Sequence, residues 1–238
     1  MKICLAQTKP HRGNIKKNID DHLSLVRQAI SKEADYLFFS ELSLTGYEPE
    51  LAKEIAISSD SLLLNDFQTL SDEGNISIGI GAPIKAENGI QIATIVFRPG
   101  QARFVYIKQH LHEDELPFFI PGEASDGMLD NQIALAICYE LSIPEHAEKA
   151  SECGAKIYIA SVAKTKSNVE QASLTLSDIA KKHSMVVLMA NCVGESGDGL
   201  CVGQSAIWDE NGMLIAQLGD EEALLVFDTN RNSVGVIN

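Results

Sequence analysis

The chain contains no apolar run approaching the roughly 18 residues that a membrane-spanning helix requires. Positive charge is scarce: 19 Lys and Arg stand against 33 Asp and Glu, a formal net charge of −14. Such a deficit works against phosphate-tracking, which depends on basic side chains releasing counterions, and against anionic membrane surfaces. Neither nucleic acid nor membrane is therefore expected as a partner. The first residues turn polar after one short apolar stretch, so a secretory leader is not expected either. The five cysteines (Cys4, Cys138, Cys153, Cys192 and Cys201) are odd in number and include no C-x-x-C pair. That makes a poor disulfide framework and a poor zinc site. No linker, low-complexity tract or fixed-period repeat interrupts the 238 residues. These absences predict one domain over 1–238, cytoplasmic, acting on a small molecule.

Apolar residues make up 45 % of the chain, enough for a sizeable core. Ile15, Ile19, Leu23, Val26 and Ile30 recur at helical spacing and predict an amphipathic helix over 14–31. Leu62, Leu63, Phe67 and Leu70 predict a second over 59–73. Further helices are expected over 144–153, entered through Pro144, and over 168–183. Short apolar runs predict strands at 2–6, 36–40, 76–84, 91–97, 103–107, 133–137, 156–160 and 185–190, then at 201–208, 214–218 and 223–227. Glu-Asn-Gly at 87–89 reads as a hairpin turn. Strands and helices mixed along one chain point to a layered α/β fold with mixed pairing.

In open α/β sheets, ligands collect at the carboxyl ends of strands. Here the run 36–40 ends in Glu41, 103–107 in Lys108, 133–137 in Cys138, 156–160 in Ser161 and 185–190 in Asn191. Each alone has an ordinary reading: a buried small thiol, a solvated loop carboxylate, a surface ammonium. Together they supply a nucleophile, a base and an oxyanion stabiliser. A free thiol is only about 3 % thiolate at neutral pH. Glu41, raised by burial, is the candidate base, and Lys108 the candidate stabiliser.

Three segments then match a known pattern. Glu41-Leu42-Ser43-Leu44-Thr45-Gly46-Tyr47, Tyr106-Ile107-Lys108-Gln109-His110-Leu111 and Cys138-Tyr139-Glu140-Leu141-Ser142-Ile143-Pro144-Glu145 occur in that order. The chain thereby resembles the nitrilase, or carbon–nitrogen hydrolase, superfamily. Phe118 to Gly122, Asn191 with Gly194, and Gly203 to Gly212 extend the similarity over nearly the whole sequence. The resemblance implies a four-layer α-β-β-α sandwich with two mixed β-sheets. It also implies a catalytic set of Cys138 as nucleophile, Glu41 as general base, Lys108 as electrostatic stabiliser and Glu115 as a second glutamate that orients Lys108 or helps with the proton transfers. The Tyr139 N–H would complete an oxyanion hole, with Tyr47, Ser161 and Asn191 as substrate-binding candidates. No metal or organic cofactor is implied. The expected substrate is a small amide or carbamoyl compound, cleaved through a Cys thioester, and the expected assembly is a homodimer.

The departures from the pattern fall in the surrounding shell. Ser142 replaces an arginine, Glu140 an aspartate and Cys201 an aromatic residue, Ile179 to His183 differ from the usual segment, and the aromatic after 156–160 is missing. A true nitrilase, and a member keeping the fold only for binding or assembly, are the alternatives. His110 and His112, two apart, suggest a metal pair only if a third ligand exists, and none is evident. Ser161 and Ser205 lack the G-x-S-x-G elbow of serine hydrolases. The glycine-rich 194–203 lacks a following Lys-Ser/Thr pair and reads as a mobile loop near the site.

Overall fold

A computed structural model describes residues 1–197 and 199–237. The first half runs β1 (Lys2–Gln7), α1 (Ile15–Ser31), β2 (Tyr36–Phe38), α2 (Ala52–Ile55), α3 (Asn65–Gly74), β3 (Ser77–Ala86), β4 (Gly89–Phe97) and β5 (Phe104–Ile107). The second half runs β6 (Ile133–Ile137), α4 (Pro144–Glu152), β7 (Ile157–Ser161), α5 (Val169–His183), β8 (Val186–Ala190), β9 (Val193–Ser196), β10 (Gly199–Val202), β11 (Ala206–Trp208), β12 (Leu214–Gln217), β13 (Ala223–Asp228) and β14 (Ser233–Ile237).

Two mixed sheets face each other. One has the order β14-β13-β1-β2-β3-β4-β5, the other β12-β11-β8-β7-β6. The strands β1, β2 and β3 pair in parallel, as do β6, β7 and β8, and antiparallel strands flank both groups. The alternation along β1 shows why the layers form. Ile3 and Leu5 pack into one core with Ile133, Leu135 and Ile159 of the opposing sheet. Cys4 and Ala6 point the other way, against Ile19, Leu23 and Val26 of α1 and Phe67 of α3. On the far side, Ala147 and Ala150 of α4 and Leu176 and Ile179 of α5 cover the second sheet. The architecture is the α-β-β-α sandwich.

Local signals account for the element ends. The Asn14 side chain accepts from the Lys17 N–H at 3.2 Å and starts α1. Pro144 opens α4, where its missing N–H has no acceptor to lose. Lys181, Lys182 and His183 sit in the last turn of α5, matched to its dipole, and Ser184 closes it in the left-handed region. Ala86 pairs with Gly89 across the expected hairpin turn.

Three expectations need correction. The second helix does not begin at 59: Ser61 caps a 3-10 turn, Leu62–Leu64, and α3 starts at Asn65. Leu62 and Leu63 are consequently 81 % and 61 % exposed rather than on the buried face. The expected strand 201–208 is broken at Gly203 and Gln204, both of positive φ, and β10 and β11 lie in different sheets. The stretch 194–203 contributes to an antiparallel hairpin of β9 and β10. Among the described residues, no helix is long and apolar enough to cross a membrane.

Candidate active site

Three strand ends from two sheets meet between the layers. Glu41 lies beyond β2, in a bend fixed from several sides. Its N–H reaches the Val162 carbonyl across the sheets at 3.4 Å, and Leu42 adopts a positive φ of 50°. Gly81 in β3 makes room for this bend: a Cβ there would stand 2.4 Å from the Leu42 nitrogen and 2.5 Å from the Ser40 oxygen. Lys108 follows β5, with its N–H on the Ile92 carbonyl and its own carbonyl on the Gly122 N–H. Cys138 follows β6 and starts a 3-10 turn with φ of 45°, a left-handed conformation that costs a non-glycine residue about 1–2 kcal/mol.

The Lys108 ammonium is fully buried and donates to Glu41 Oε1 at 2.7 Å and to Glu115 Oε1 at 2.5 Å. Glu115 is held in turn: Tyr47 Oη donates to its Oε1 at 3.1 Å and the His112 N–H to its Oε2 at 2.8 Å. Burial alone would depress Lys108, but Glu41, Cys138 and Glu115 outweigh it and raise it above the ordinary lysine range. Burial raises Glu41, Lys108 pulls it partly back, and the Glu115 charge adds to the rise. Glu41 Oε2 is buried and has no hydrogen-bond partner. Burial and the Glu41 charge push the Cys138 thiol up to about 11, against the opposing pull of Lys164, Lys108 and the Ala163 N–H. The Glu41 charge acts on the Cys138 thiol, so a thiol and a proton-accepting carboxylate share one cluster. Cys138 opens onto a cleft of about 470 Å³ lined by Tyr47, Glu115, Tyr139, Ala163, Lys164 and Asn168, among others.

A buried thiol, carboxylate and ammonium brought to one cleft can perform acyl transfer. The carbon–nitrogen hydrolase family model matches residues 2–238. The chain belongs to the carbon–nitrogen hydrolase family.

Relatives within and around this family resemble it along most of its length. The 2-oxoglutaramate amidase of Bacillus subtilis (strain 168) is 29 % identical over 207 residues, covering 82 % of this chain and 78 % of that protein. The (R)-stereoselective amidase of Pseudomonas sp. is 24 % identical, covering 93 % and 82 %. An amidase from Nesterenkonia sp. has the same fold, with a TM-score of 0.86 at 22 % identity, covering 95 % of this chain and 89 % of that one.

The structure brings together Glu41, Lys108, Glu115 and Cys138, with Tyr47 joined through Glu115 and Tyr139 on the cleft wall. Ser161 and Asn191 it places elsewhere, outside the residues lining the cleft. Ser161 Oγ donates to the Phe39 carbonyl at 2.8 Å and ties the two sheets together. The Asn191 side chain spends both ends on backbone: its Oδ1 accepts from the Lys164 N–H, and its Nδ2 donates to the Lys164 and Gly203 carbonyls. Both residues sit at strand ends, as expected, but alternate side chains of a strand face opposite ways. His110 and His112 lie beyond β5 and diverge, one against His146 and the other against Tyr139. Among the described residues no group of three or more His, Cys, Asp or Glu is placed to hold a metal ion.

Two residues at the centre were not foreseen. Glu140, two positions past the nucleophile, accepts from the Gln109 N–H at 2.5 Å, the Ile137 N–H at 2.8 Å and Tyr106 Oη at 2.8 Å. Tyr106 continues to His146 and Tyr158 through bonds of 2.7 and 2.8 Å, so a buried polar network braces the turn that carries Cys138. The second is Lys164, which lines the same cleft as Cys138 and whose charge acts on that thiol. The departure of Glu140 from aspartate was a signal for the first; the lysine three positions past β7 was visible but unplaced.

Proposed function

We propose that this carbon–nitrogen hydrolase cleaves a small amide or carbamoyl compound through a thioester on Cys138, in one catalytic domain over 1–238. Glu41 takes the thiol proton: the S–H bond breaks and an O–H forms on the carboxyl group. The sulfur attacks the carbonyl carbon, and the carbonyl electron pair moves onto oxygen. Lys108 and the Tyr139 N–H stabilise that oxyanion in a site largely closed to water, where such donors act strongly. When the carbonyl re-forms, the C–N bond breaks and the nitrogen leaves as ammonia or amine with the proton from Glu41. Water then loses a proton to Glu41, attacks the thioester and releases the acid, and the proton returns to sulfur.

The observation that carries this reading is the buried Lys108 ammonium bound to two carboxylates, at 2.7 and 2.5 Å, beside a thiol that opens onto a cleft. Glu115 and Tyr47 hold Lys108 in place in this account. The amidase activities named for the Bacillus subtilis and Pseudomonas relatives support an amide over a nitrile. In a variant of the Nesterenkonia sp. AN1 amidase, the acetamide moiety of fluoroacetamide adds covalently to the active-site cysteine, which supports a cysteine nucleophile here. The test is ammonia release over a panel of small amides and carbamoyl compounds, with Cys138→Ala in parallel. Release by the native protein that disappears in the variant is the expected result; equal release by both contradicts the assignment.

A further inference from the structure

Lys164 is built into its position. Its backbone is gripped on both sides by one amide: the Lys164 N–H donates to Asn191 Oδ1 at 2.8 Å, and Asn191 Nδ2 donates to the Lys164 carbonyl at 3.0 Å. Asn191 is itself fully buried, and its N–H and Nδ2 are tied to Ser205 Oγ at 3.0 Å and the Gly203 carbonyl at 2.6 Å. This bracket fixes the backbone of a segment that lines the same cleft as the nucleophile, Ala163 and Lys164 included. There the Lys164 charge acts on the Cys138 thiol and on Glu41.

The charges around the sulfur explain why a second cation matters. Glu41 comes from beyond β2, Lys108 and Glu115 from beyond β5, and His112, Asp114 and Tyr139 line the adjoining cleft wall. Glu41, Glu115 and Lys108 alone leave one negative charge in excess before the thiol ionises. A buried site resists net charge, and passing the thiol proton to Glu41 moves that excess without removing it. With Lys164 included, the cluster is neutral. Moving the proton from sulfur to Glu41 keeps it neutral and leaves the thiolate under the pull of both Lys164 and Lys108.

We propose that Lys164 is a second catalytic cation that holds Cys138 as the thiolate at the moment of attack. The inference rests on the assignment of Cys138 as nucleophile. The two lysines then divide the work in sequence. Lys164 faces the electron pair left on sulfur when the S–H bond breaks, and Lys108 faces the pair pushed onto the carbonyl oxygen when the S–C bond forms.

Alkylation of Cys138 by iodoacetamide, followed by mass spectrometry of its peptide across pH ~7–12, reads the thiolate directly. It needs no substrate, so it is decided independently of the ammonia assay. Lys164→Gln is expected to slow alkylation near neutral pH by about tenfold or more and to move the midpoint to higher pH, the size of one charged hydrogen bond. Lys164→Arg is expected to restore most of the rate. Asn191→Ala, which keeps the lysine and loosens its bracket, is expected to shift the midpoint in the same direction by less. A Lys164→Gln profile that superimposes on the native one overturns the proposal. So does a slower rate at every pH with the midpoint unmoved. If Lys164→Gln does not fold, an unmoved midpoint in Asn191→Ala overturns it.

Discussion

Replacing Lys108 with Met keeps most of the side-chain length and apolar stem and removes the ammonium. The facing oxygens of Glu41 and Glu115 lie 2.7 and 2.5 Å from that nitrogen, hence no more than about 5 Å from each other. At an effective dielectric of about 20, two unit charges at ~5 Å repel by about 3 kcal/mol. Breaking a buried pair by removing one partner costs about 3–5 kcal/mol in all. The sign of the pH dependence follows. Glu41, already raised by burial, loses in the variant the Lys108 charge that pulls it back, so its folded-state pKa stands further above the unfolded value near ~4.3. The penalty is therefore small at pH below about 4.3 and reaches its full size as pH rises through the raised folded value. Urea denaturation of the variant and the native protein, each at pH ~5 and ~8, measures this. The expected loss is about 3–5 kcal/mol at the higher pH and markedly less at the lower. Adding Glu115→Gln should recover about 1–3 kcal/mol at pH ~8, since one of the two facing charges is gone. An equal loss at both pH values, or none, refutes the reasoning that two ionised carboxylates are held together by this one cation.

Two further perturbations probe the walls of the site. Gly81→Ala pushes a methyl group against the Leu42 nitrogen and Ser40 oxygen, backbone atoms on either side of Glu41. A stability loss of about 1–3 kcal/mol and a fall in ammonia release are expected together, and a variant that keeps both shows the bend can yield. The Glu140 carboxyl is pushed up to about 7 by burial, above its unfolded value near 4.5. Its contribution is thus present below the unfolded value and lost as pH rises through the folded one, about 3 kcal/mol in all. Glu140→Gln should flatten that part of the unfolding free energy against pH, and an undiminished slope contradicts the assignment.

The layers were legible because alternation and helical periodicity report burial directly. β1 shows Ile3 and Leu5 on one face and Cys4 and Ala6 on the other. Composition misled where it was read as burial. Leu62 and Leu63 sit in a 3-10 turn with their side chains in solvent, a choice made by the Ser61 cap and the start of α3. At the site, strand ends identified the positions that matter but not the direction of each side chain. Glu41, Lys108 and Cys138 turn into the cluster, while Ser161 and Asn191 turn into the scaffold. Lys164 was not foreseen because what places it is a side chain twenty-seven positions later, closing on its backbone from β8. Glu140 became prominent only once Tyr106, Gln109 and Ile137 were seen to converge on it from two sheets.

The most direct test of the central claim is rapid quenching of the protein with a small amide that it hydrolyses, followed by mass spectrometry of the Cys138 peptide. An acyl group on Cys138 that forms and decays at the rate of turnover is the predicted result. Turnover with no acylated Cys138, or with the acyl group on another residue, contradicts it.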